Sequence, residues 1–248
     1  MFNQPLYITH SFSIFFPRQI DICRRAFDLE SLLGDQYGVP HVITVPDELD
    51  PETPRIVISS KHGFSQLQVS QISLAMHVRY SPDFQRDSSR IRAYLRERIP
   101  PLFDILKNLS IAPAFCGLSA VVRISSQRNE HEIMKALVRA LEEPVSRSDL
   151  YDLEIKTTSV ADNRFFSNVA VSNYREWSSH EDAVQLIPFS RNTSTSQGVH
   201  LVGDFNDRFS YNEQSDYHSN SDVVQPLIEL CFSTLEELSA TIIQINEV

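Results

Sequence analysis

Residues 66–80 read QLQVSQISLAMHVRY, and the alternation along them decides the fold. Leu67 and Val69 alternate with Gln66, Gln68 and Ser70; Ile72, Leu74, Met76, Val78 and Tyr80 then alternate with Ser73, Ala75, His77 and Arg79. A period of two over this length marks a strand with one buried face, because successive side chains point to opposite sides. The apolar phase slips at Ser70-Gln71. An unbroken strand would carry its apolar set across to the other face there, so the slip requires a bulge or a sharp bend. We expect a hairpin or bent strand lining a one-sided sheet.

The flanking chain continues the pattern. Leu6 to Phe16 reads as a first strand closed by Pro17, and a helix is expected over Arg18 to Leu33, stopped by Gly34. Gly38 to Pro54 is proline-rich and loop-like, with at most one brief strand, and Lys61-His62-Gly63 turns Arg55 to Ser60 into the quoted stretch. Ser88 or Ser89 is placed to cap a helix that Pro100-Pro101 must kink or divide, since a proline inside a helix costs about 3 kcal/mol. Phe115 to Ser125 is again strand-like, Asn129 to Glu142 helical, and Asp162-Asn163 a tight turn between the strands Leu150 to Val160 and Arg164 to Trp177. Ser190 to Gln197 is loop-like. A strand over Val199 to Phe209, a polar loop over Ser210 to Asp222 and a long helix from Val223 to about Ile245 complete the chain.

Strands and helices thus come in blocks, which defines α+β: antiparallel sheets with long helices packed on one face. Both halves also read as strands followed by a long helix, a pattern that admits two pseudo-duplicated lobes, residues 1–128 and 129–248, joined in one compact unit.

Charge divides the chain at the same place. Residues 1–128 hold 14 Lys and Arg against 12 Asp and Glu, a balance of +2; residues 129–248 hold 8 against 20, or −12, so the acid of the net −10 belongs to the second half. A protein that neutralises phosphates carries a net basic domain, so nucleic acid is disfavoured as a partner and a basic protein is favoured. No apolar run approaches the roughly 20 residues of a membrane span, and Phe12 to Phe16 reads as a buried strand rather than a signal peptide. Cys23, Cys116 and Cys231 are odd in number, far apart and set among apolar neighbours, which points to reduced core thiols and a cytoplasmic setting.

Four stretches together resemble a sporadically distributed family of uncharacterised bacterial proteins. They are Pro5-Leu6-Tyr7-Ile8 at the first strand, Leu67-Gln68-Val69 with Ile72-Ser73-Leu74-Ala75-Met76 at the hairpin, Cys116 to Arg123, and Val202-Gly203-Asp204-Phe205-Asn206-Asp207 before the last helix. Ser119 and Val122 stand where that family carries arginine and asparagine. The resemblance implies the fold and a bacterial intracellular setting, and brings no activity with it.

Candidate chemistry is sparse. His200, Asp204, Asp207, Glu213, Asp216, His218 and Asp222 form the richest polar run, and Asp204, Asp207, His218 and Asp222 could serve a metal as hard or borderline ligands. Their spacing matches neither an EF-hand nor a zinc motif. Arg90, Arg92, Arg96 and Arg98 crowd one helical segment and could grip an anion, although such a segment is more often a salt-bridged outer face. Neither a glycine-rich phosphate loop nor a G-x-S-x-G elbow is present. His10 and His77 alternate into strands that could line a common cavity.

With no catalytic signature, the sequence points to a non-enzymatic partner-binding protein, an immunity, antitoxin-like or regulatory subunit acting without a cofactor. Glu176, Glu181, Asp182, Asp204 and Asp207, with Trp177 as an aromatic anchor, are the expected partner-binding residues. The alternative is a metal-dependent hydrolase or nuclease built on the Asp/His set.

Overall fold

The computed structural model describes residues 2–46, 48–140, 150–177 and 194–244. In chain order its elements are β1 (Leu6–Phe15), α1 (Ala26–Leu33), β2 (His41–Val42), β3 (Ile56–Ser59), β4 (Ser65–Val69), β5 (Ser73–Arg79), α2 (Ser88–Arg98) and α3 (Pro100–Asn108). There follow β6 (Phe115–Ser125), α4 (Glu130–Ala140), β7 (Glu154–Ala161), β8 (Phe165–Glu176), β9 (Ser196–Asn206), α5 (Arg208–Glu213) and α6 (Val224–Gln244). The strands make one nine-stranded sheet in the order β2-β3-β4-β5-β1-β6-β9-β8-β7, antiparallel at every pair. This is an α+β fold. No described helix is long and apolar enough to cross a membrane.

The phase slip in the quoted stretch is the turn between β4 and β5. Ser70 Oγ accepts from the Ile72 and Ser73 amides at 3.2 and 3.0 Å and bonds Ser73 Oγ at 2.8 Å, so a short side chain closes the turn. At Asp162 and Asn163 φ is +52° and +51°, the left-handed pair of the tight turn between β7 and β8, which the Arg164 amide closes on the Ala161 carbonyl at 2.9 Å.

Register lines up an apolar row across the sheet. Ile58, Leu67, Met76, Phe12, Leu118 and Phe205 are successive partners from β3 to β9, and each is at most 1% exposed. Phe103 of α3 meets Phe12, with ring centroids 6.1 Å apart, and Phe232 of α6 lies 5.3 Å from the Tyr7 ring. Gly203 sits under α6. A Cβ there would come 2.5 Å from the Phe205 ring and 3.4 Å from Leu235, so its bareness lets the helix and the aromatic ring share the space. The stripe Leu227, Cys231, Leu235 and Ile242 of α6 is buried as its spacing predicts, with Leu238 partly buried; Ile245 lies outside the described residues.

Pro100-Pro101 divides the helical segment in two, with the prolines in the first turn of α3, where a missing amide hydrogen costs nothing. Several boundaries differ from the sequence reading, β7 among them, which begins at Glu154 rather than Leu150. Asp87, not Ser88 or Ser89, caps α2, its carboxylate accepting from the Arg90 amide at 2.9 Å. The first helix begins at Ala26, after a 3-10 turn over Ile22–Arg25. β9 starts at Ser196, three residues earlier than expected, and ends at Asn206. The expected polar loop after it opens with α5, whose Phe209 and Tyr211 pack on Phe166 and Phe115.

Candidate functional site

One residue away from the apolar row on every strand runs a polar one. Ser59, Gln66, His77, Ser11, Ser119, Asp204, Asn168 and Thr158 are successive partners across eight strands, from β3 to β7. Adjacent strand residues point to opposite faces, so this row lies on the side away from Phe12 and Phe205.

Its members bond to one another along the row. Ser11 Oγ and His77 Nδ1 are 2.9 Å apart, Ser119 Oγ donates to Asp204 Oδ1 at 3.3 Å, Asn168 Nδ2 to Asp204 Oδ2 at 3.1 Å, and Thr158 Oγ1 to Asn168 Oδ1 at 2.9 Å. Asn206 adds a third donor to Asp204, at 2.9 Å. A carboxylate has about four lone-pair directions, so the Asp204 group is held in place yet still able to accept. Partial burial pushes the His77 imidazole below its usual range.

Where β1, β6 and β9 meet, the same face opens into a cavity of about 700 Å³. Ser13, Gly117, Ser119, Asp204 and Asn206 line it from these strands, together with Phe15, Phe115, Tyr211, Glu52 and Arg208. A Cβ on Gly117 would come within 3.0 Å of Asn206 Cβ and 3.7 Å of Asp204 Oδ1, so the glycine keeps this part of the lining low.

The residues singled out by sequence separate into different environments. Asp207 is 1% exposed and works inward: its carboxylate accepts from the Cys116 amide, the Tyr217 hydroxyl and the Ser219 hydroxyl, each at 2.6 Å, tying the segment after α5 to β6. Burial, followed by the hydrogen bond to Asp207, pushes the Tyr217 phenol up. His218 Nδ1 faces the Pro113 carbonyl at 3.3 Å, and Asp222 donates its amide to the Asn220 side chain that caps the turn. Among the described residues no three His, Cys, Asp or Glu side chains gather to hold a metal ion.

The arginines of α2 are spent on structure. Arg92 bonds Glu236 at 2.5 Å and Glu229 at 3.4 Å, and Arg96 also pairs with Glu229, joining α2 to α6. Arg90 lies over the Phe84 ring and Arg98 over that of Tyr94, with Arg98 also bonded to Gln36. Glu176 pairs with Arg123 at the end of β8, where Trp177 is half-buried. Glu181 and Asp182 lie outside the described residues. His10 and His77 do not share a cavity: they sit on opposite faces of the sheet, in register with Val78 and Ser11 respectively.

Sequence reading missed Ser11, Ser119, Asn168 and Thr158 altogether. Each is an ordinary polar position in an alternating strand, and only strand register shows them to be neighbours. No family model matches the chain, and no curated protein matches it.

Proposed function

We propose that this chain is a non-enzymatic partner-binding protein that meets a basic protein through the polar face of its sheet. The observation that carries this reading is the eight-strand polar row centred on Asp204 and ordered by its own hydrogen bonds. Glu154 and Glu176 share the face with Asp204 by register, ion-paired there to Lys156 and Arg123, and the half of the chain that supplies the three carboxylates is the acidic one. The excess of acid in that half speeds encounter with a cationic surface, and the mixed charges of the face fix its orientation. Asp207 is left out of the docking set because it is enclosed.

The architecture supports the reading. With the two-residue β2 and the short α5 set aside, β1-α1-β3-β4-β5-α2 and β6-α4-β7-β8-β9-α6 each run strand, helix, three strands, helix, and the spatial orders β3-β4-β5-β1 and β7-β8-β9-β6 correspond, with β1 and β6 joined at the middle. We infer that the chain is two pseudo-duplicated lobes, divided before β6 at Phe115 rather than at residue 128, whose long helices cover the apolar face, which leaves the polar face for recognition. An immunity, antitoxin-like or regulatory subunit of a bacterial cytoplasm fits this arrangement.

The test is association with a partner captured from the native cell, measured at low and high salt. Reversing Glu176, Glu181 and Asp182 to lysine should slow association while leaving thermal stability nearly unchanged. Added salt should do the same as the screening length falls to roughly 8–10 Å. Association indifferent to both would overturn the electrostatic reading.

A further inference from the structure

The cavity at the β1-β6-β9 junction has chemistry of its own that partner docking does not use. Ser13, Glu52, Tyr211 and Arg208 line it, and the side chain of none is hydrogen-bonded or ion-paired to another described side chain; the Arg208 guanidinium rests 5.4 Å from the centroid of Phe115. Beside them lies the Asp204 carboxylate, fixed by Ser119, Asn168 and Asn206 with acceptor capacity to spare. Phe15 and Phe115 stack at 4.6 Å and Tyr211 leans on Phe115 at 5.5 Å, so a continuous aromatic wall rises beside the polar part.

The mixed charge decides what fits. A cation is drawn to Asp204 and Glu52 but meets Arg208, and an anion is drawn to Arg208 but meets two carboxylates. A neutral ligand rich in hydroxyl groups satisfies all three, donating to the carboxylates and accepting from the guanidinium and from Ser13. A ligand whose ring also has an apolar face can lie against the aromatic wall. About 700 Å³ falls within the usual range for a small-molecule site.

We propose that this cavity binds a carbohydrate of one or two sugar rings, with Asp204, Ser13 and Arg208 as the hydroxyl-reading groups and Phe115 with Tyr211 as the platform. The site shares Asp204 with the docking reading above, but Ser13, Arg208, Phe115 and Tyr211 are its own, and it would stand if that reading failed.

The experiment is an amide-resolved NMR titration of the full chain with a panel of neutral mono- and disaccharides up to about 50 mM, a range that captures millimolar affinity. Free phenylalanine as a zwitterion and adenosine monophosphate as an anion serve as competitors of other classes. At least one sugar should give saturable shifts at Gly117, Ser119, Asp204 and Asn206. Ser13→Ala should weaken that sugar about 3–10-fold, as loss of one neutral hydrogen bond does, and Tyr211→Ala should weaken it as well. Both positions face the cavity, Tyr211 is 44% exposed, and neither side chain holds a hydrogen bond among the described residues, so both variants should melt with the wild type. The proposal is overturned if no sugar shifts these amides, if the shifts survive both substitutions, or if the zwitterion or the nucleotide binds there in place of sugars.

Discussion

The two faces of the central sheet are written into the same strands one residue apart, and they differ in kind. Ile58, Leu67, Met76, Phe12, Leu118 and Phe205 form a row that is at most 1% exposed, while Ser59, Gln66, His77, Ser11, Ser119 and Asp204 form its neighbour on the other side. The apolar row is held by burial, which is non-directional and grows with area. The polar row is held by hydrogen bonds that exchange one partner for another and so contribute little net stability. The lesson is that stability and recognition are separable here: changes on one face should move folding, and changes on the other should move binding.

The largest effect should come from Phe205, fully buried beside Gly203 and in register with Leu118. Phe205→Ala should cost about 3–5 kcal/mol, the usual range for a core aromatic, and Leu235→Ala on α6 about 2–5 kcal/mol. Chemical denaturation measures both. Losses of a few tenths would mean that the apolar face is not the stabilising one.

Asp207 tests whether position in the chain or position in the fold decides a carboxylate's role, since it follows Asp204 by three residues yet is enclosed. Asp207→Ala strands the Cys116 amide and the hydroxyls of Tyr217 and Ser219 inside the protein. Unpaired buried groups of this sort cost about 2–3 kcal/mol, again read by denaturation.

The two histidines on neighbouring strands sharpen the contrast through pH. His10 is on the apolar face, 1% exposed, between Tyr7 and Phe232 with Tyr80 at its edge, and neither ring nitrogen has a partner among the described residues. Burial pushes its pKa down to about 3. The folded protein therefore keeps it neutral while the unfolded chain titrates near the ordinary value of about 6.5. Above that pH His10 contributes nothing to the pH dependence. Below it the unfolded state binds a proton that the folded state refuses, so stability falls by about 1.4 kcal/mol per pH unit until the folded pKa is reached. Urea midpoints between pH 7 and 4 should show this slope, and His10→Leu should reduce it. His77, half-exposed and bonded to Ser11, shifts in the same direction and should add a weaker dependence.

How much of this was legible in the chain follows from the range of each cause. The turn at Ser70, the division at Pro100-Pro101 and the left-handed pair Asp162-Asn163 are local, and composition with phase placed them. The cap at Asp87 was displaced by one residue, because Asp, Ser and Ser in succession all offer a capping oxygen. α5 was missed because six residues between polar segments carry too little periodicity, and its Phe209 and Tyr211 are explained only by Phe166 and Phe115 across the fold. The site was the least legible. Asp204 was named for its charge, but Ser11 and Ser119 are 108 residues apart in the sequence and become neighbours only through the pairing of β1 with β6.

The smallest expected effect on folding belongs to Asp204 itself, and it is the most discriminating. Asp204→Asn keeps the shape of the side chain and one acceptor oxygen while removing the charge. Ser119 can reorient its hydroxyl, and the amides of Asn168 and Asn206 can still share the remaining oxygen. Because the group is only partly buried, a change of less than about 1 kcal/mol in stability should follow, the scale of a single net hydrogen bond. Binding should respond more strongly, since the lost charge is the one on which the polar row converges. Both the rate of association with a basic partner and the affinity for a hydroxyl-rich ligand should fall while the denaturation midpoint barely moves. A variant that loses several kcal/mol of stability instead would show that the Asp204 network is part of what holds the sheet together, and the separation between a stabilising face and a recognising face would not stand.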